Sequence, residues 1–134
     1  MTKFDSIEKA IDEFRQGKML VVVDDEDREN EGDFIVSAET ATPDDINFMM
    51  KHGRGLVCMP ITQECANQFN LGLMVPHTKN TALFETNFTI SVDAVKNATT
   101  GISSADRWET VQVLLDDNAK PSALGRPGHM FPLT

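Results

Sequence analysis

The chain has 134 residues, 40% of them hydrophobic and 25% charged, with no low-complexity tract, so one compact domain spanning residues 1–134 is expected rather than a disordered or fibrous segment. Its formal charge of −9, with no concentrated basic patch, excludes nucleic acid as an expected partner. The N-terminus holds no apolar h-region and the chain no bilayer-length apolar run, so no membrane partner and a cytoplasmic location are expected.

In chain order, residues 6–16 read as an amphipathic helix. Ile7, Ala10, Ile11 and Phe14 share one face, Asp5 with Glu8 forms a capping-box-like start, and Gly17 is the stop. That face should pack. Residues 19–23 are a continuous apolar run ending in three β-branched valines, suited to a strand covered on both sides, and Phe34-Ile35-Val36 is a second strand beyond a polar decapeptide. Thr42-Pro43-Asp44-Asp45 is a strong helix start, with a threonine cap, proline at the first helical position and acids against the positive end of the dipole. Gly53 ends that helix. Residues 55–60 read as a short buried strand, Thr62 caps a brief helix to about residue 70, and residues 71–87 form a long irregular connection of the kind that often carries function. Residues 88–92 alternate as a half-buried strand does, and Ser103 or Ser104 opens a helix with Trp108, Val111 and Leu115 on one face. Residues 120–134, rich in proline and glycine, read as loop. The expected class is α+β, a layered domain with a mixed twisted β-sheet flanked by helices.

The densest chemical signal is Asp24-Asp25-Glu26-Asp27-Arg28-Glu29-Asn30-Glu31-Gly32-Asp33, where seven of ten residues are carboxylates. Between two apolar strands such groups raise one another's pKa unless a proton or a metal is shared. In an extended conformation Asp25, Asp27, Glu29, Glu31 and Asp33 point the same way, and their hard oxygens favour Mg²⁺ or Mn²⁺ over zinc or copper. A solvated acidic turn is the competing account. A calcium loop starting at Asp27 fails, because its twelfth position is Ala38 and its flanks are strand-like.

Cys58 and Cys65 have neither disulfide-scaffold nor zinc-site spacing, so both thiols are expected to be reduced. Cys58 is either a small buried hydrophobe or a polar group facing a site. Thr99-Thr100-Gly101-Ile102-Ser103-Ser104 offers hydroxyls and free backbone N–H groups that could hold a phosphate, with plain helix capping equally consistent. His129, in a rigid loop beside Arg126, is placed for a general acid or base.

Taken together, residues 24–33, His52-Gly53-Arg54-Gly55-Leu56-Val57-Cys58, Thr99-Thr100-Gly101-Ile102-Ser103 with Ala105-Asp106-Arg107, and residues 126–133 resemble, in that order, the 3,4-dihydroxy-2-butanone 4-phosphate synthases along essentially the whole chain. The resemblance implies a homodimer with sites near the subunit interface, acting on a sugar phosphate. The reaction it implies is that of a lyase of riboflavin biosynthesis, taking D-ribulose 5-phosphate to formate and L-3,4-dihydroxy-2-butanone 4-phosphate. It assigns Arg28, Glu29 and Asp33 to substrate contact, Glu29 to the metal, Mg²⁺ or Mn²⁺, and Glu31, Asp33, Cys58 and His129 to catalysis. Thr100 and Ser103 match residues at the phosphate end. The family domain continues past the pattern found here, into a segment with a second metal ligand and a further catalytic glutamate. The expectation is therefore an incomplete copy or a shortened relative, with apolar sheet surface exposed. Two readings follow, the lyase itself or a truncated non-catalytic metal-binding or regulatory relative, and formate release separates them.

Overall fold

The computed structural model describes residues 4–134. Its architecture is α+β. The elements run α1 (Ile7–Arg15), β1 (Leu20–Val23), β2 (Gly32–Ile35), α2 (Pro43–Phe48) continuing as a π-helical turn (Met49–Gly53), β3 (Cys58–Pro60), α3 (Gln63–Gln68), β4 (Val92–Ala94), α4 (Ser104–Leu115) and β5 (Leu124–Leu133). The strands form two separate sheets. β1 and β2 make an antiparallel hairpin, while β5 is the centre of a mixed sheet ordered β3-β5-β4, parallel to β3 and antiparallel to β4.

Capping explains where the helices begin. Thr42 and Asp45 close a reciprocal capping box, the Thr42 hydroxyl accepting from the Asp45 N–H at 3.2 Å and the Asp45 carboxylate from the Thr42 N–H at 2.9 Å. Thr62 caps α3 and Ser103 caps α4 in the same one-sided way. Ser6, rather than Asp5, caps α1.

The core lies between the mixed sheet and the helices α2, α3 and α4. Ile46, Met59, Ala66, Phe69, Val92, Val111, Leu114 and Met130 form one buried cluster. On α4 the inward apolar residue of the last turn is Leu114, while Leu115 is 37% exposed. No side chain of α1 is buried, and Ile7 is 71% exposed, so the expectation that its apolar face packs is not met among the described residues. The doubly covered strand is not observed either: Val21, Val22 and Val23 of β1 are all exposed. A β-branched run states that a strand is favourable, but it does not state what covers it.

The largest departure is β5. Residues 120–134 were expected to be loop because Pro127, Gly128 and Pro132 are breakers in isolation. The strand accommodates them through an irregular register with β4, where Val92 pairs with Met130 but Asp93 with Gly125. At Gly128 a Cβ would lie 2.0 Å from the Val92 carbonyl carbon, so the two backbones approach as only glycine permits. Pro132, lacking an N–H, contributes its carbonyl, which accepts from the Thr89 N–H at 3.0 Å and hydroxyl at 3.1 Å. Residues 88–92 accordingly make isolated bridges at Phe88 and Thr89 before β4 begins. The 71–87 connection is irregular and mostly exposed, as expected, with a 3-10 turn at His77–Lys79.

Candidate active site

The acidic segment is a folded turn, not an extended strand. Asp24 organises it: one carboxylate oxygen accepts from the Asp25 N–H at 2.7 Å, the other from the Glu29 N–H at 3.1 Å and the Arg28 guanidinium at 2.7 Å. Asp25 adds an Asx-type turn by accepting from the Asp27 N–H at 2.8 Å, and Asn30 reverses the chain at φ 52°. Partial burial pushes the Asp24 carboxyl up, but the Asp25 and Glu29 amides and the arginine outweigh it and hold the group below the usual carboxylate range. Extended geometry, which would align Asp25, Asp27, Glu29, Glu31 and Asp33, is thereby ruled out: turns distribute side chains around a loop, and Asp25, Asp27, Glu31 and Asp33 are exposed while Glu29 is half-buried. Arg28 also reaches Glu29 at 3.4 Å and lies 5.0 Å from the centre of the Phe84 ring, so the 71–87 connection touches the acidic turn.

Among the described residues no three His, Cys, Asp or Glu side chains converge to hold a metal ion. The donor set nonetheless suits one metal type. Glu29 stands among carboxylate oxygens with no thiolate or imidazole on the turn, and Mg²⁺ is commonly held by one or two carboxylates with water and substrate oxygens completing its shell.

Asp33 leads from the turn into β2, and its charge is felt at Cys58 of β3. Burial raises the Cys58 thiol above its ordinary pKa, and the negative charge of Asp33 adds to that, so the thiol is kept protonated at neutral pH. Cys58 is half-buried and free, as is Cys65. In the parallel ladder Cys58 pairs with Phe131, and His129 precedes Phe131 by two residues, so Cys58, Phe131 and His129 share one face of the sheet. Met59, Met130 and Pro132 face the buried side. A cavity of about 230 Å³ beside His129 and Phe131 is lined also by Met50, Arg54, Leu56 and Arg107 among others, and not by Cys58.

His129 is therefore a strand residue rather than a loop residue, and its neighbour is not Arg126. The Arg126 guanidinium turns away to the carbonyls of Phe69 and Pro121. Arg107 instead donates to the His129 carbonyl and, at 2.9 Å, to the Ile102 carbonyl. The His129 ring meets Asp93, with Nδ1 at 2.7 Å from Oδ2. Asp24, Asp93 and Arg107 were not singled out from sequence. Asp24 carried a signal as the first acid of its run, whereas the partner of His129 is 36 residues away and had none.

At residues 99–104 the amides counted as free are in use. The Asp106 carboxylate accepts from the Thr99 N–H at 3.0 Å, the Thr99 hydroxyl at 2.8 Å and the Gly101 N–H at 3.0 Å. These bonds, from the Thr99 hydroxyl first, hold the Asp106 carboxyl below its ordinary pKa against the desolvation that opposes them. The capping alternative is what the structure contains, with the Ser103 hydroxyl accepting from the Asp106 N–H at 3.0 Å and Thr100 exposed beside it.

The family model for 3,4-dihydroxy-2-butanone 4-phosphate synthase matches residues 8–134. The riboflavin biosynthesis protein RibBA of Porphyromonas gingivalis is 54% identical over 132 residues, which are 98% of this chain and 32% of that protein. The 3,4-dihydroxy-2-butanone 4-phosphate synthase of Campylobacter jejuni is 54% identical over 98% of this chain and 38% of its own length. The chain thus spans about a third of the length of these relatives. A solved structure of a 3,4-dihydroxy-2-butanone 4-phosphate synthase in complex with two magnesium ions superimposes with a TM-score of 0.90 at 44% identity, covering 97% of this chain and 60% of that one. A cation-free form of such a synthase gives a TM-score of 0.85 at 41% identity.

Proposed function

The chain belongs to the 3,4-dihydroxy-2-butanone 4-phosphate synthase family, and from that premise we propose that it contributes the catalytic core of a lyase converting D-ribulose 5-phosphate into L-3,4-dihydroxy-2-butanone 4-phosphate and formate. The observation that carries this reading is the face of the β3-β5-β4 sheet that Cys58 and His129 share, with the charge of Asp33, at the end of the acidic turn, felt at Cys58. Proton transfer next to a carbonyl needs groups of opposite habit at one place. Here Asp33 and Glu31 accept protons, Cys58 is a neutral polar wall, and His129 both gives and takes them.

Arg28, fixed by Asp24, offsets the charge of the turn and orients the substrate with Glu29 and Asp33. Arg54 and Arg107 make the cavity wall hospitable to an anionic sugar phosphate. The hydroxyls of Thr100 and Ser103 serve its phosphate end; a hydroxyl that accepts from a backbone amide still has a proton to donate. A divalent cation, Mg²⁺ or Mn²⁺, held through Glu29 would polarise substrate oxygens and stabilise the negative charge that develops as the proton leaves. On the same reading the protein works as a homodimer in the cytoplasm.

The test is formate release from D-ribulose 5-phosphate, with and without Mg²⁺, by this chain and by a form extended through the remaining length of the relatives. Metal-dependent formate from either supports the lyase. Release from neither, with Mg²⁺ still bound and lost in Glu29→Gln, selects the non-catalytic metal-binding relative.

A further inference from the structure

Resting on the reading that His129 exchanges protons with substrate, we propose that Asp93 is its positioning residue, holding the imidazole as the Nδ1–H tautomer so that Nε2 is the atom presented to the cavity.

Both oxygens of this one carboxylate are directed at one residue. Asp93 Oδ1 accepts from the backbone N–H of His129 at 2.7 Å, and Oδ2 lies 2.7 Å from its ring Nδ1. A carboxylate only accepts, so the ring nitrogen facing it must carry the proton. In the neutral ring the other nitrogen is then bare. His129 lines the cavity with Phe131, and its side chain is 40% exposed while that of Asp93 is 16% exposed. Besides His129 the charged residues of the cavity wall are Arg107, which donates to the His129 carbonyl, and Arg54; neither can accept from Nδ1.

The fold builds this contact from three directions. The irregular register between β4 and β5 pairs Val92 with Met130 and Asp93 with Gly125, so residues 126–129 bulge out of the ladder and the His129 N–H turns to the Asp93 side chain. Gly128 permits it, since a side chain there would collide with the Val92–Asp93 peptide at 2.0–2.4 Å, and its N–H is taken by the Ser91 hydroxyl at 3.1 Å. Behind the carboxylate sits Gly101 at φ +83°, where a Cβ would lie 2.0 Å from Asp93 Oδ2. Within the motif at residues 99–103, this glycine thus has a role that phosphate binding did not anticipate: it leaves room for the acid that orients the histidine.

A merely structural aspartate would tie the strand through the His129 amide and leave the ring indifferent. The isosteric Asp93→Asn separates the two roles. The His129 N–H still requires an acceptor, so the amide oxygen takes the Oδ1 position and the NH₂ faces Nδ1, which must then become the bare nitrogen. Nitrogen-15 spectra of the His129 ring, at roughly pH 8.5 where an ordinary imidazole is neutral, read this directly. The wild-type chain is expected to show Nδ1 protonated and Nε2 bare, and D93N the reverse. A wild-type ring protonated on Nε2 overturns the proposal even if D93N fails to fold, and so does a folded D93N with an unchanged ring.

Formate assays in whichever form of the protein is active keep the underlying reading separate. D93N should lower turnover about a hundredfold or more, the range for losing a positioned base, with KM for the sugar phosphate retained. Full activity in His129→Ala would overturn the catalytic role of His129 while the ring spectra still decide what Asp93 does.

Discussion

The β1–β2 hairpin with its acidic turn and the β3-β5-β4 sheet with α4 are built on opposite principles. In the hairpin the polar groups organise a loop at the surface, through short-range bonds from Asp24 and Asp25, and the strands that carry it leave Val21, Val22 and Val23 exposed. In the sheet region the buried Asp106 binds Thr99 and Gly101 of the segment leading into α4, and Asp93 binds the amide and ring of His129, 36 residues away. Carboxylates at the surface can be rearranged at small cost, whereas the same groups in the interior fix the geometry of everything they touch.

Substitutions should expose that contrast. Gly128→Ala is expected to do the most damage, because its Cβ meets backbone rather than a movable side chain. A loss of about 4 kcal/mol in urea-unfolding free energy, the range reserved for such named defects, is expected. Asp106→Ala should cost about 3 kcal/mol, leaving two amides and a hydroxyl without their acceptor. A midpoint unchanged from wild type would show that water replaces the carboxylate freely.

Acid sharpens the comparison further. The folded pKa of Asp106 is depressed, so its contribution is fully present above the unfolded value of roughly 3.9 and is lost as pH falls through the lower folded value. Asp106→Asn should therefore unfold with a shallower dependence on pH in the acid range than wild type, and an identical slope would refute the assignment. On the hairpin, Arg28→Met removes a pair whose arginine side chain is 53% exposed and should change stability by no more than about 1 kcal/mol. Val21→Thr, on the open face of β1, is expected to stay within about 0.5 kcal/mol, measured in the same urea series.

What was legible in the sequence was what local rules decide. Thr42-Pro43-Asp44-Asp45, Thr62 and Ser103 begin helices because a capping side chain reaches only two or three residues along the chain. The acidic run was legible as a candidate site by composition, and its shape was not, because the turn bonds to Asp24 compete with an extended strand. The central strand β5 was hidden for a different reason. Pro127, Gly128 and Pro132 forbid a regular ladder, and only the partner strand, with Ser91 and Asp93 supplying acceptors, makes an irregular one favourable. His129 stood out as a candidate, yet was placed in a loop beside Arg126, since nothing nearby in sequence identifies Asp93 as its neighbour.

The chain contains a single tryptophan and no tyrosine. The indole of Trp108 on α4 donates from Nε1 to the Ala41 carbonyl at 2.8 Å, immediately before the cap of α2. Its emission therefore reports on one joint, the seam where α4 meets the entry to α2. Colour and intensity changes in a melting or titration experiment will follow the opening of that seam, while the acidic turn can rearrange around a ligand unseen by this native fluorophore.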